Sequence, residues 1–347
     1  MKQIYFLLIG IFLIGTSAIL IKPDIQSQST KRVIDVEQLS VSDVLLMLGD
    51  DTLIHHIQQV DPELVKMGED LVLNGYTERN GKKSKRISKH FVCTDCHNLT
   101  REFDDITSEN AAERLRYAKA NDIPFLPAST FWGIYNRTSF YNKDYVKKYG
   151  DLVVNARDSL YNATQVCAKY CSSGRYLEQW ELDAVMQYFK SLELKIKDLG
   201  LDANTLKNLR KMGKLKQAEK EDLIAKIKGA YIHKYDATFL ETMPREQRKY
   251  GEGGDPANGE MIYEESCMYC HANARLTYLS LGKNKLDGRM FWNNRTSYRD
   301  QSLYQIVRHG TYSKPGRRQY MPLYTEEKMS DEQLNDLMAY LKQLAEK

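Results

Sequence analysis

The sequence CTDCH at residues 93–97 decides how this chain is interpreted, and it recurs as CMYCH at residues 267–271. Both are CxxCH motifs, in which two thiols add across the two vinyl groups of one haem and the adjacent histidine lies under the iron as proximal ligand. A redox-active CxxC pair does not need the histidine, and a zinc site would need a second CxxC at zinc-finger distance. The sequence therefore predicts two covalently bound haem c groups, held by Cys93, Cys96, His97, Cys267, Cys270 and His271.

The surroundings of the two motifs repeat as well. Each motif follows a short amphipathic stretch with a glycine, and each is followed by a Phe-Trp pair and a closing helix, the second of which opens with a capping box. The repeated stretches are 68–72 and 259–263, 131–139 and 291–297, and 180–192 and 330–344. Duplication of one small helical haem domain explains all three repeats.

The predicted fold class is therefore all-α, with two cytochrome c-like domains, and 347 residues suffice for both. The first domain is expected to hold a low-potential haem and the second a His/Met haem. The expected boundaries are a signal peptide or membrane anchor at 1–23, a helical lead-in at 24–60, the first domain at 61–195, a helical connector at 196–255 and the second domain at 256–347.

The N-terminal segment indicates export. Lys2 precedes a charge-free, mostly apolar run from Gln3 to Ile21, and apolar residues continue past the small residues that would mark a cleavage site, which favours an uncleaved anchor over a cleaved signal. We expect the rest of the chain on the periplasmic or extracytoplasmic face. The net charge of +4 is too small for a nucleic-acid surface, and the connector lysines are expected to be a solvated face rather than a docking patch.

The axial ligands opposite the two histidines differ between the domains. Met321 precedes a proline and lies 50 residues after His271, and we expect it to bind the second iron in preference to Met290 or Met329. The first domain has no methionine between His97 and Met186. Its candidate ligands are Cys167 and Cys171, which lie just before the closing helix; the alternative is that they form a disulfide or are buried thiols. His55 and His56 are expected to be surface or core residues rather than iron ligands.

These features together resemble the thiosulfate dehydrogenase family of dihaem cytochromes, which are relatives of the SoxA cytochromes. The resemblance spans roughly residues 60–345. In that family a cysteine of the first domain is the axial thiolate and a stretch similar to Cys-x-x-Arg-Ser-x-Asn-Gly follows; aligning its glycine with Gly174 implies Cys167 as the ligand and puts Cys171 in the serine position. Here Tyr170 replaces the arginine and Ser173 the asparagine, and the basic insertion at 82–89 is additional.

The resemblance implies oxidation of thiosulfate to tetrathionate at the first haem, with electrons leaving through the second to an acceptor cytochrome or oxidase. A thiolate ligand lowers the potential of its haem and a methionine raises it, so electrons are expected to run in that direction. The substrate is a dianion, so arginines should converge near Cys167. The candidates are Arg137, Arg157 and Arg175, each of which has the alternative of a surface or haem-propionate role. The alternative function is electron transfer without substrate chemistry; a dihaem peroxidase is disfavoured because it needs an open or displaceable His-ligated haem.

Overall fold

Helices make up almost all of the regular structure of this chain. The computed structural model describes residues 35–296, 302–311 and 320–347, and this mostly helical structure confirms the predicted all-α class. The predicted signal peptide or anchor at 1–23 and the start of the lead-in lie outside the described residues. Within the described ranges, no helix combines the length and apolar character that a membrane span requires.

The α-helices of the described residues are joined by connections of very different length. They are α1 Val41–Leu48, α2 Pro62–Asn74, α3 Ala111–Ala120, α4 Tyr145–Tyr149, α5 Leu160–Val166, α6 Gln179–Ser191, α7 Ala203–Leu209, α8 Gln217–Gly229, α9 Pro256–Ile262, α10 Met268–His271, α11 Lys285–Asn293, α12 Leu303–His309 and α13 Asp331–Glu346. Two π-helical segments, Cys167–Cys171 and Tyr263–Cys267, continue α5 and α9.

A small hairpin leads into the basic insertion before the first motif. Strands β1 (Glu78–Arg79) and β2 (Lys82–Lys83) pair antiparallel. Asn80 and Gly81 between them have φ values of 52° and 69°, and an Asn-Gly pair with positive φ at both positions is the preferred two-residue hairpin turn.

The same helix crossing occurs twice, once near each motif. α2 crosses α6 at Gly68, where an added Cβ would lie 2.0 Å from the carbonyl oxygen of Ala184. α9 crosses α13 at Gly259, where an added Cβ would lie 2.0 Å from the carbonyl oxygen of Asp336. In both crossings a tyrosine one turn further along the closing helix covers the glycine. The repeat in the sequence therefore corresponds to a repeat in helix packing.

Three apolar clusters hold the described chain together. One gathers around α2 and α6 and another around α9 and α11–α13. The third joins α1, α7 and α8, with Val44, Leu48, Leu223 and Ile227 among its buried members. The last α-helix of the connector at 196–255 ends at Gly229.

The remainder of the connector, after Gly229, is mostly without regular structure. Residues 230–255 contain only one short 3-10 turn, Arg245–Gln247. Pro244 and three glycines after it disfavour a helix. This part of the chain crosses instead to the cluster around α13, where Thr238 donates its backbone N–H to the Glu327 carboxylate at 2.9 Å and Met243 packs on the apolar core.

The described part of the lead-in contains one α-helix, and the two Phe-Trp stretches differ from each other in structure. In the described part of the lead-in, α1 ends at Gly49, which has a φ of 95° and caps the helix; no α-helix follows before α2. The Phe-Trp pair at 131–132 leads into a turn, because Gly133 has a φ of 72° and starts a 3-10 segment. Its counterpart at 291–292 lies inside α11.

Candidate haem and redox site

Each motif histidine is held by the same kind of hydrogen bond. His97 Nδ1 lies 2.7 Å from the carbonyl oxygen of Ser129, and His271 Nδ1 lies 3.0 Å from that of Leu279. A carbonyl oxygen only accepts, so Nδ1 carries the proton and Nε2 keeps its lone pair. Burial lowers the pKa of His97 to about 4 and lowers that of His271. Neutral, oriented imidazoles of this kind are what metal ligation requires, and the residues of both motifs fit a covalently bound haem.

A buried ion pair supports the loop behind His97. Arg114 Nη2 lies 2.9 Å from Glu102 Oε1, and both side chains are at most 2% exposed. Burial by itself raises the pKa of Glu102, but Arg114 outweighs it and holds the pKa below its ordinary value. Glu102 also accepts the backbone N–H of Thr130 at 3.2 Å. The Phe131 ring stacks on His97 with 4.1 Å between centroids, so the loop fixes both the position and the tilt of the imidazole.

The two spare cysteines form a thiol pair on the π-helical segment Cys167–Cys171. Segments of this type are rare and frequently mark functional sites. Hydrogen bonding with Cys167 lowers the pKa of Cys171, whose side chain is exposed; the Tyr141 hydroxyl donates to the Ala163 carbonyl at 3.2 Å. The hydrogen bond between the two thiols and burial raise the pKa of Cys167. The two thiols therefore interact directly with each other.

This thiol pair lies beside the first motif. Cys93 and Cys96 both raise the pKa of Cys167 electrostatically, and Cys171 raises that of Cys96. The turn after the pair is hydrogen-bonded to the segment that leads into the motif, because the Arg175 N–H donates to the Ile87 carbonyl at 2.9 Å. The structure therefore brings together the two pairs of cysteines that the sequence assigns to the first haem.

Tyrosines surround the thiol pair, and the sequence interpretation missed them. Tyr141, Tyr145 and Tyr149 follow one another in a ring series with centroids 4.9 and 6.0 Å apart; their spacing of four residues is the signal that predicts a shared face. Tyr320, far along the chain, packs on Phe91 with 5.5 Å between ring centroids. Burial raises the pKa of Tyr320, and Cys171 contributes electrostatically, which places this ring near the pair.

The three arginines do not form the predicted anion clamp. Arg137 is 5% exposed, donates to the Thr130 carbonyl at 2.5 Å and lies 4.2 Å from the Tyr235 ring. Arg175 donates with both Nη atoms to Glu181, each at 2.6 Å. Arg157 is exposed. Two of the three guanidinium groups are thus engaged by protein groups that the linear sequence does not reveal.

The candidate methionine of the second site lies on a segment that is held by hydrogen bonds. Met321 is half-buried; its N–H donates to Thr311 Oγ1 at 2.6 Å and its carbonyl accepts the Thr311 N–H at 3.0 Å. Met329 is 1% exposed inside the apolar cluster around α13, and Met290 packs against that cluster from α11. Three residues after Met321, the Tyr324 hydroxyl bonds Ser266 Oγ at 2.5 Å, next to Cys267.

The two motifs contact each other directly. Tyr269, within the second motif, donates its hydroxyl to the carbonyl oxygen of Thr94, within the first, at 2.9 Å. Arg275 Nη2 lies 3.1 Å from Asp95 Oδ1. Nothing in the linear sequence indicates this pairing of residues about 175 positions apart.

Comparison with known proteins gives a match for the part of the chain that contains the second CxxCH motif. Residues 254–341 match the family described as cytochrome C oxidase, cbb3-type, subunit III. These residues contain the second motif and Met321, so this part of the chain is a c-type cytochrome domain, which implies covalently bound haem c and electron transfer. The first motif lies outside the matched residues. No curated protein and no solved structure matches the chain.

Proposed function

We propose that this chain is a dihaem c-type cytochrome that passes electrons from a donor at the first motif to an acceptor at the second. The observation that supports this is the histidine arrangement behind both CxxCH motifs, in which His97 and His271 each donate Nδ1–H to a backbone carbonyl. When bound, each haem supplies a one-electron redox centre. The chain attaches them through Cys93 and Cys96 and through Cys267 and Cys270, and orients the ligands.

In this proposal residues 61–195 and 256–347 are two haem domains, related by the repeated glycine crossing of their helices. Covalent haem c is typical of extracytoplasmic proteins, and the segment 1–23 would be the export signal or anchor. The partners are an electron donor and an acceptor cytochrome or oxidase.

A second candidate function is oxidation of thiosulfate or a related anionic sulfur compound at the first haem. The observation that favours it is the thiol pair beside Cys93 and Cys96, with Cys167 as the proposed axial ligand and Cys171 as the alternative. Joining two thiosulfate dianions through a new sulfur–sulfur bond gives tetrathionate and releases two electrons, which two one-electron centres can take up. Of the three predicted arginines, Arg157 is exposed and is the most available to an anion. The other two, Arg137 and Arg175, already bind protein groups, which weakens this candidate function.

Anaerobic titration of the ferric holoprotein with thiosulfate separates the two functions. If the second candidate is correct, thiosulfate reduces the haems with two electrons per tetrathionate formed. Cys167→Gly should then abolish this reduction and the low-spin His/Cys paramagnetic resonance signal, while dithionite still reduces both haems. Cys171→Ser is the matched control and should retain both properties.

Other outcomes assign the function differently. If thiosulfate does not reduce the wild-type haems but a reduced small cytochrome c does, electron transfer without substrate chemistry is correct. If Cys171→Ser rather than Cys167→Gly removes the His/Cys signal, Cys171 is the ligand. If the protein exchanges electrons with neither class of donor, the proposed function is wrong.

A further inference from the structure

The variable residues of the two CxxCH motifs form a small interlock, made by Thr94, Asp95, Tyr269 and Arg275. Tyr269 Oη donates to the Thr94 carbonyl at 2.9 Å, and Arg275 pairs with Asp95 at 3.1 Å. Arg275 Nε also donates to the Tyr269 carbonyl at 2.7 Å, and its guanidinium lies 4.2 Å from the Tyr269 ring. Arg275 thus binds both motifs at once.

The interlock is not an ordinary surface contact. The Arg275 side chain is 43% exposed, but that of Asp95 is only 3% exposed, and its second oxygen accepts the Val92 N–H at 2.9 Å. Exposed ion pairs contribute little, but a buried carboxylate that loses its cation is strongly destabilising. The chain therefore keeps Arg275 against Asp95, which keeps the second motif against the first.

The interlock includes residues inside both motifs. Thr94 lies between the two cysteines of its motif and Tyr269 between the two of the other. Their hydrogen bond consequently joins the two haem-attachment loops directly.

We propose that Asp95, Tyr269 and Arg275 are positioning residues that hold the two haems for direct electron transfer between them. This inference rests on the proposed dihaem function and specifies how the two centres communicate. Tyr269 fixes the contact between the attachment loops, and the Asp95–Arg275 pair sets a common electrostatic environment for both. The two haems then exchange electrons within the molecule, with no diffusing carrier.

The test uses flash photoreduction of the purified ferric holoprotein by a flavin semiquinone. A phase whose rate does not depend on protein concentration reports electron exchange between the haems. In the double variant Tyr269→Phe, Arg275→Gln this phase should slow by more than a factor of two, because the rate of electron transfer falls steeply as the distance between the haems grows. Arg289→Gln, an exposed arginine of α11, removes the same charge elsewhere and should leave the rate unchanged.

Redox titration measures the midpoint potentials of the haems and so distinguishes an electrostatic role of these residues from a general loss of structure. Asp95→Asn removes a negative charge and should raise the midpoint potentials of both haems; Arg275→Gln should lower both. The single variant Tyr269→Phe, which keeps the ring and the ion pair, should slow the exchange without moving either potential. If the double variant does not fold, the exchange rate of Tyr269→Phe alone tests the inference.

The inference is overturned if the exchange rate of Tyr269→Phe stays within a factor of two of wild type and the charge variants shift at most one potential. It is also overturned if the wild-type protein carries two haems but shows no concentration-independent phase. A wild-type protein that carries one haem refutes the proposed function itself, so the two failures are distinguishable.

Discussion

Met321 differs from the other two methionine candidates by its surroundings. Met329 is enclosed by the apolar core around α13, whereas Met321 is half-buried on a segment held by Thr311. Met321 is therefore the less enclosed of these two methionines, and the Met-Pro sequence is what predicts it as the ligand. Its ligation of the second haem remains a prediction.

Replacing Met321 tests that prediction. Met321→His should abolish the weak near-infrared band of thioether–iron ligation, because no sulfur then binds the second iron. Met329→Leu is the control; it conserves volume in the core, should cost less than about 1.5 kcal/mol, and should keep the band. Persistence of the band in Met321→His, measured on the ferric protein, would identify another methionine as the ligand.

The chemistry of individual residues was predictable where it depends on near neighbours in sequence. CxxCH spacing reflects the geometry of one haem, so His97 and His271 can be assigned without a structure. The arginine roles could not be assigned, because they depend on partners brought together by folding. Arg137 is engaged by Tyr235, which lies almost a hundred residues away, and the Glu181 carboxylate that binds Arg175 has no distinctive sequence signal.

At the level of helices, glycine sets how closely each motif's first helix approaches its closing helix. An alanine at Gly68 or Gly259 would place its Cβ 2.0 Å from a backbone oxygen of the closing helix. Backbone cannot move aside as a flexible side chain does, so the helices must separate.

Gly68→Ala and Gly259→Ala should each lower the free energy of unfolding by about 1–3 kcal/mol, the usual cost of overpacking. Gly229→Ala is the matched control, since no atom lies within 4 Å of its added Cβ and such a change should stay within about 0.5 kcal/mol. Denaturant unfolding of the holoprotein measures all three. Equal effects at the three glycines would contradict the crossing described here.

Helix ends were also predictable from local chemistry, and the irregular connections were not. Ser330 caps α13 and accepts the Gln333 N–H at 3.2 Å, as the capping box predicts. The two Phe-Trp pairs have similar sequences yet different structures, because a single glycine, Gly133, starts a turn in the first. The chain from 230 to 255 takes its path from contacts such as Thr238 with Glu327, which periodicity does not encode.

At the level of the whole molecule, the account depends on the presence of a haem at each motif. The match to a known family covers residues 254–341 and therefore supports the second haem. The first is proposed from CxxCH at 93–97, from the hydrogen bond of His97 to the Ser129 carbonyl and from the repeated helix crossing. The contact between the motifs can serve electron transfer between the two haems only if both haems are attached.

Intact mass under denaturing conditions tests this central claim most directly, because thioether-linked haem stays on the polypeptide. The wild-type protein should carry the mass of two haems. Cys93→Ala, Cys96→Ala should carry one, and Cys267→Ala, Cys270→Ala should carry the other. A wild-type protein with a single haem, whose haem content is unchanged by Cys93→Ala, Cys96→Ala, would contradict the account.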